Sequence, residues 1–346
     1  MAARWDEHSK GRHRTAIKPV KQKPLSHPPQ QGRVMEGTGR WWLVEPEQAP
    51  ETLVECSIAG TVVVHHGDST LVAVGDLVEF ILTDKQAPSG LPQGMIVSIH
   101  NRRTKLTRYR RREGQEQVIT SNVDQLVILH AAAEPRYDRF LIDRYLIAAQ
   151  RGELTPILCI NKLDLGSLEQ LSEDLRYYSE RLGVQLILCS ARTGAGIDRL
   201  REVLQDKISV FSGPSGVGKS TLTNLLLGME EQVVGKISHK LQRGRHVTTM
   251  ARMFRLPQGG YIVDTPGIQD LTIWELTRDE LPAYFDDFSL WAQECTYQPC
   301  SHTHEPQCAV RAAVERGEIP AWRYEHYCRL WQSLPKYEYE WRRGRR

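Results

Sequence analysis

The run Gly213, Pro214, Ser215, Gly216, Val217, Gly218, Lys219, Ser220 constrains the fold of this chain more than any other feature. It satisfies G-x-x-x-x-G-K-[ST], and it lies between an apolar strand-like stretch (ISVFS, 208–212) and a helical stretch that opens at Gly218 and includes Thr221. Small residues let the backbone curl until successive N–H groups point inward at phosphate oxygens, and the helix N-terminus that follows reinforces the effect. Lys219 is placed to reach the β- and γ-phosphates, and the Ser220 hydroxyl to bind Mg²⁺. Such a loop needs a strand before it and a helix after it, so an α/β sheet is expected around it.

The flanking sequence has that rhythm. Strand-like runs at 125–131, 156–160, 184–189, 252–256 and 260–264 alternate with helical stretches at about 139–150, 168–182 and 197–205. Ser167 and Gln170 have capping-box spacing at the start of the second helix, and Gly183 follows its end. Alternation of this kind predicts a mostly parallel, doubly wound sheet. Asp264 ends one strand and begins Asp264-Thr-Pro-Gly267, where the carboxylate can hold Mg²⁺ through water and the Gly267 N–H can meet a γ-phosphate.

Asn161, Lys162 and Asp164 end the strand at 156–160 and select the base. A carboxylate at Asp164 accepts from guanine N1–H and its 2-amino group, a donor pair that adenine lacks, and mismatching such a group gives large discrimination. Ser190 and Ala191, at the end of the strand at 184–189, would offer a backbone N–H to guanine O6. GTP and GDP are therefore the expected ligands. Ordinary small GTPases place the phosphate loop first and the base-reading elements last. Here Asn161 and Ser190 precede Gly213, which implies circular permutation. Asp264 then falls near the end of its domain, where a loose chain would fray, so an anchor should follow.

Two further regions flank this one. Short β-rich runs (WWLVE, TLVECSI, GTVVVHH, LVEFILT, GMIVSI) separated by turn residues predict a small barrel over 36–115, of OB type or a similar SH3-like type. Residues 1–35 are basic and Pro-rich and read as a disordered arm. The permuted region is expected to span 116–270. From 271 to 346 the chain turns helical and aromatic, and Cys295, Cys300, His302 and Cys308 offer a Cys₃His zinc set. Four protein ligands leave no open position, so the site reads as structural. On spacing alone His304 could replace His302.

The permuted order, the run Arg243-Gly-Arg-His-Val-Thr-Thr249 and the Cys/His cluster together resemble the RsgA (YjeQ) family of GTPases, which act in biogenesis of the bacterial small ribosomal subunit. The resemblance covers about 36–335. It implies an OB domain, a permuted GTPase domain and a zinc domain, and it favours His302 as the ligand. It also implies GTP hydrolysis and a catalytic role for His246. At the position after Gly267, where small GTPases often carry a water-orienting Gln, this chain has Ile268. A neutral His246 imidazole could orient that water instead. Where the family has H-T-T-T, this chain has Val247 after His246, so Thr248 or Thr249 completes the Mg²⁺ shell, with Thr248 favoured.

Charge agrees with an RNA partner. The net charge of +3 hides +6 over residues 1–40, +7 over 102–112 and +3 over 335–346, on a remainder of −13. A barrel with basic patches suits the rRNA phosphate backbone. No apolar run is long enough for a membrane span and no secretory signal is evident. A cytoplasmic monomer is expected, with one structural Zn²⁺, and Mg²⁺ accompanying GTP.

Overall fold

The computed structural model describes residues 27–37, 40–87, 89–110, 115–166, 171–228, 251–265 and 276–336. Strands β1 (Gln30–Gly37), β2 (Trp42–Pro46), β3 (Val54–Val64), β4 (Leu77–Gln86) and β5 (Pro92–Ile99) form the barrel. Their order is β1-β2-β3-β5-β4, and β4 closes on β1 from Gln30↔Phe80 to Arg33↔Leu77. This closed five-stranded arrangement is the OB type rather than the SH3-like one. Val34, Val44, Val54, Phe80, Ile96 and Ile99 fill it.

The number of strands is the five expected, but they are not the five stretches expected. Residues 52–58 and 60–66 read as separate strands, yet one continuous β3 runs through both, with its register against β5 shifting between Ile58 and Val63. The fifth strand, β1, comes largely from the stretch assigned to the disordered arm. Its polar composition (Gln30, Gln31, Arg33, Glu36) conceals buried positions at Gly32, Val34, Met35 and Gly37, with a register shift between Val34 and Glu36. The arm therefore ends before Gln30, and its first 26 residues lie outside the described ones.

The basic strip becomes a hairpin, β6 (Lys105–Arg110) with β7 (Gln115–Ser121). The expected domain boundary at 115/116 would cut this hairpin's second strand, which the pairing forbids. Much of the strip's charge is also committed to the fold. Arg102 is buried and bonds both oxygens of buried Asp76 at 2.7 Å and Asp68 at 2.9 Å. Arg103 bonds Asp124 at 2.7 Å, and Lys105 bonds Asp68 at 2.7 Å. Arg102 and Lys105 are thus engaged by the fold, while Arg103 stays largely exposed, so the run overstates the charge offered to a partner.

Next come β8 (Gln125–Ala131), α1 (Arg139–Arg151), β9 (Thr155–Asn161), α2 (Ser172–Arg176) with a π-type turn over Tyr177–Arg181, β10 (Gln185–Leu188), α3 (Ile197–Leu204), β11 (Ile208–Ser212), α4 (Lys219–Leu226), β12 (Arg252–Arg255) and β13 (Tyr261–Asp264). The order is β10-β9-β8-β11-β13-β12, parallel except for β12. Alternate residues of β8 serve the two faces. Leu126 and Ile128 pack with Tyr145 and Tyr178 on the α1 side, while Val127 and Leu129 pack with Leu200 and Leu222 on the α3–α4 side. Asp138 caps α1, accepting from Leu141 N at 3.1 Å. Gly183 ends the second helix with φ +65° as expected, whereas Ser167 and Gln170 lie outside the described residues.

The last described region, 276–336, packs on Phe285, Phe288, Tyr327 and Leu330. It meets α1 through buried charge. Arg323, in the helix Ala321–Ser333, lies 2.7 Å from Asp143 and 3.0 Å from Asp287. Tyr178 and His326 also bond Asp143, and Tyr177 bonds Asp287. This is the anchor that the permuted order requires. The expected boundary at 270/271 lies outside the described residues.

Candidate nucleotide site and metal centre

The chain moves outward in one direction from β8 through β9 to β10, then in the other from β11 to β13. The β8/β11 border is thus the topological switch point, and open α/β sheets bind ligands at the strand carboxyl ends there. Those ends bring together Ala131, Asn161, Ser212 and Asp264.

The phosphate loop needs its glycines. At Gly213, with φ +155°, a Cβ would stand 2.1 Å from Leu129 O; at Gly218, with φ +95°, it would stand 2.4 Å from Asn161 Nδ2. Lys219 folds over the loop, and its Nζ donates to Gly213 O at 2.8 Å and Pro214 O at 2.7 Å. Burial pushes the Lys219 pKa down and that of Asp264 up, while each charge draws the other back toward its ionised form. Beside Asp264, Thr265 bonds Phe211 O at 3.0 Å, pinning the strand end. The Ser220 hydroxyl and the Asp264 carboxylate are hard oxygen donors, the chemistry Mg²⁺ takes.

Asn161 joins the two halves of the site. Its Nδ2 donates to Val217 O at 2.9 Å, and its Oδ1 accepts from Ala191 N at 3.0 Å. The Ala191 N–H expected at guanine O6 is therefore engaged by Asn161. Lys162, with φ +63°, donates to Glu134 O at 2.6 Å, which fixes the loop after β8 over the site. Ser190 Oγ donates to Asp164 Oδ1 at 2.5 Å. This bond, aided by Arg192 and Lys162, holds the Asp164 carboxyl below its usual range. An ionised acceptor is the state that guanine reading needs.

Sequence reasoning missed the Asn161 tie and also His130. That imidazole is buried at the end of β8, edge-on to Tyr137 with ring centroids 5.5 Å apart, and neither ring nitrogen has a partner among the described residues. Burial, with a smaller push from Lys219, holds it down at about 4. An apolar strand gives no signal of such a group. His246, Thr248, Thr249, Gly267 and Ile268 lie outside the described residues.

The Cys/His set converges. Donor atoms of Cys295, Cys300, His302 and Cys308, all buried, lie within 4.8 Å of one another. Cys295 Sγ is 3.6 Å from His302 Nδ1 and 3.9 Å from Cys308 Sγ, and Cys308 Sγ is 3.5 Å from His302 Nδ1. A tetrahedron with bonds of about 2.3 Å has edges of roughly 3.8 Å, so these spacings fit a closed zinc-type site. His304 is exposed and turned to Ser301 and Thr303, so His302 is the histidine that joins the cluster. Burial lowers the His302 pKa, favouring the neutral form a ligand needs, and pushes the Cys300 thiol up to about 12, a shift that a bound cation would oppose. Glu305 braces the loop by accepting from Ser301 N at 2.8 Å.

No described helix is long and apolar enough to cross a membrane. The RsgA GTPase family model matches residues 99–274. The small ribosomal subunit biogenesis GTPase RsgA of Chlorobaculum parvum is 43% identical over 88% of this chain and 97% of its own. That of Chlorobaculum tepidum is 44% identical over the same shares. Among solved structures, YjeQ from Thermotoga maritima superposes with a TM-score of 0.66 at 30% identity, covering 88% of this chain and 98% of its own. YloQ, a circularly permuted GTPase, gives 0.63 at 26%, covering 90% and 97%. The chain, with its permuted sheet, barrel and Cys₃His cluster, belongs to the RsgA GTPase family.

Proposed function

We propose that this protein binds GTP with Mg²⁺ and hydrolyses it on the small ribosomal subunit during that subunit's biogenesis, leaving as the GDP form. The observation that carries the reading is the Asn161 bridge between the phosphate loop and the Ser190 loop, whose Ser190 hydroxyl in turn bonds Asp164; it supports Asp164 as the base reader beside a P-loop. The relatives' names supply the subunit. In this reading Gly213 to Thr221 hold the phosphates, and Ser220, Thr248 and Asp264 hold Mg²⁺, with Gly267 at the γ-phosphate. Lys162, Asp164 and Ser190 frame the guanine. His246 orients water, since Ile268 has no group that can. Bound Mg²⁺ supplies charge neutralisation at the phosphates. The Cys₃His set holds Zn²⁺ as a structural staple. The hairpin and basic termini meet rRNA, and the protein acts as a cytoplasmic monomer.

Ile268 also supports a second reading, in which GTP only orders an rRNA-binding module with little turnover.

Guanine reading and subunit binding can be tested together. GTP, and not XTP, should drive co-sedimentation of the parent protein with purified small subunits. Asp164→Asn exchanges an acceptor for a donor, so XTP should replace GTP as the effective nucleotide. A mutant that still responds to GTP as the parent does contradicts the base assignment; a parent indifferent to nucleotide contradicts the subunit role.

A further inference from the structure

Arg252 stands at a junction that the nucleotide site does not by itself explain. On one side it is the direct rung partner of Asp264 across β12 and β13; on the other it is the rung partner of Glu36 on barrel strand β1. Among the described residues that rung is the ladder pairing that joins the barrel to the GTPase sheet, giving one sheet of eleven strands, with Glu45 of β2 bonding Arg255 and Tyr261 beside it. Directly opposed residues on an antiparallel pair carry Cβ atoms on one face about 4.5–5.5 Å apart. The guanidinium therefore has two carboxylates within reach. It is committed to the barrel's: Nε and Nη2 each lie 2.7 Å from Glu36 Oε2. Glu36 is largely shielded from solvent, with 17% of its side chain exposed.

We propose that Glu36 is a positioning residue that holds the Arg252 guanidinium on the barrel side and so keeps Asp264 available to Mg²⁺. Without Glu36 the cation turns to Asp264 and competes with the dication for that carboxylate. Magnesium-dependent GTP binding then depends on how β1 seats against β12, and a partner that displaces the barrel alters the nucleotide site through one ion pair. The inference rests on reading Asp264 as the magnesium-facing carboxylate.

The test titrates Mg²⁺ into full-length protein with a fluorescent, non-hydrolysable GTP analogue and reads the half-saturating Mg²⁺ concentration. Glu36→Gln should raise it by about threefold or more, the scale of one partly exposed ion pair. Glu36→Gln combined with Arg252→Met should return it to the parent value, because the competing cation is gone. An unchanged requirement in Glu36→Gln overturns the proposal. So does a double variant as impaired as the single one, since the defect would then lie in the seam and not in the freed guanidinium. Should Glu36→Gln fail to fold, Glu36→Asp, which keeps the charge but shortens the reach, should show a smaller rise, and a parental value there is equally contrary. Asp264→Asn in the same assay should raise the requirement at least as far as Glu36→Gln does. A parental result for Asp264→Asn would show that the reading of Asp264 had failed first.

Discussion

Cys300→Ala should lose stoichiometric zinc and melt at least about 10 °C below the parent, a shift that several kcal/mol produces in a chain of this size. The reason is the path from the metal to the GTPase sheet. Tyr324 and Tyr327, on the helix Ala321–Ser333, each donate at 2.7 Å to carbonyls of His302 and Ser301 in the metal loop. The same helix carries Arg323 to Asp143 on α1. In that variant two buried thiols and an imidazole are left without the metal, the loop loses its shape, and the helix loses its seat. Elemental analysis and calorimetry check this together. A Cys300→Ala protein with full zinc content would contradict the ligand assignment.

Arg323→Ala should cost about 3–5 kcal/mol of stability in urea unfolding, because it leaves two buried carboxylates without their cation. Asp143 and Asp287 are both buried and both bonded to this one guanidinium. Adding Asp143→Asn and Asp287→Asn should recover much of the loss, since the uncompensated charges go with the cation. An unfolding midpoint unchanged by Arg323→Ala would mean that the hub does not join the two regions.

The nucleotide half of the molecule was readable because its chemistry is local in sequence. A P-loop, Asn161 to Asp164 and Asp264 each end a strand, and a strand end is visible in an apolar run. The Cys₃His cluster was readable for the same reason: its four residues fall within 14 positions, and the exposure of His304 leaves His302 as the histidine that joins it. What escaped depends on partners far apart in the chain. β1 looked like arm because its apolar positions, Val34 and Met35, are few and set among polar residues, and only pairing with β2 and β4 reveals the strand. The strip at 102–112 looked like free charge because Asp68 and Asp76, which neutralise Arg102, lie about thirty residues earlier. Arg323 and Asp143 are separated by most of the GTPase region, so no window of sequence pairs them. The permuted order foretold that an anchor must exist but not which residues would form it.

Steady-state GTP turnover with and without purified small subunits tests whether the small subunit sets this hydrolase to work. Ile268 carries no water-orienting group and the role falls to His246, set to work by the subunit, so turnover should be slow alone and rise by roughly tenfold or more with subunits, equivalent to about 1.4 kcal/mol of barrier. His246→Ala should lose most of that rise at saturating subunit while GTP still binds. Turnover equal with and without subunits, in a protein that binds both GTP and the subunit, would contradict the account and leave a GTP-ordered RNA-binding module in its place.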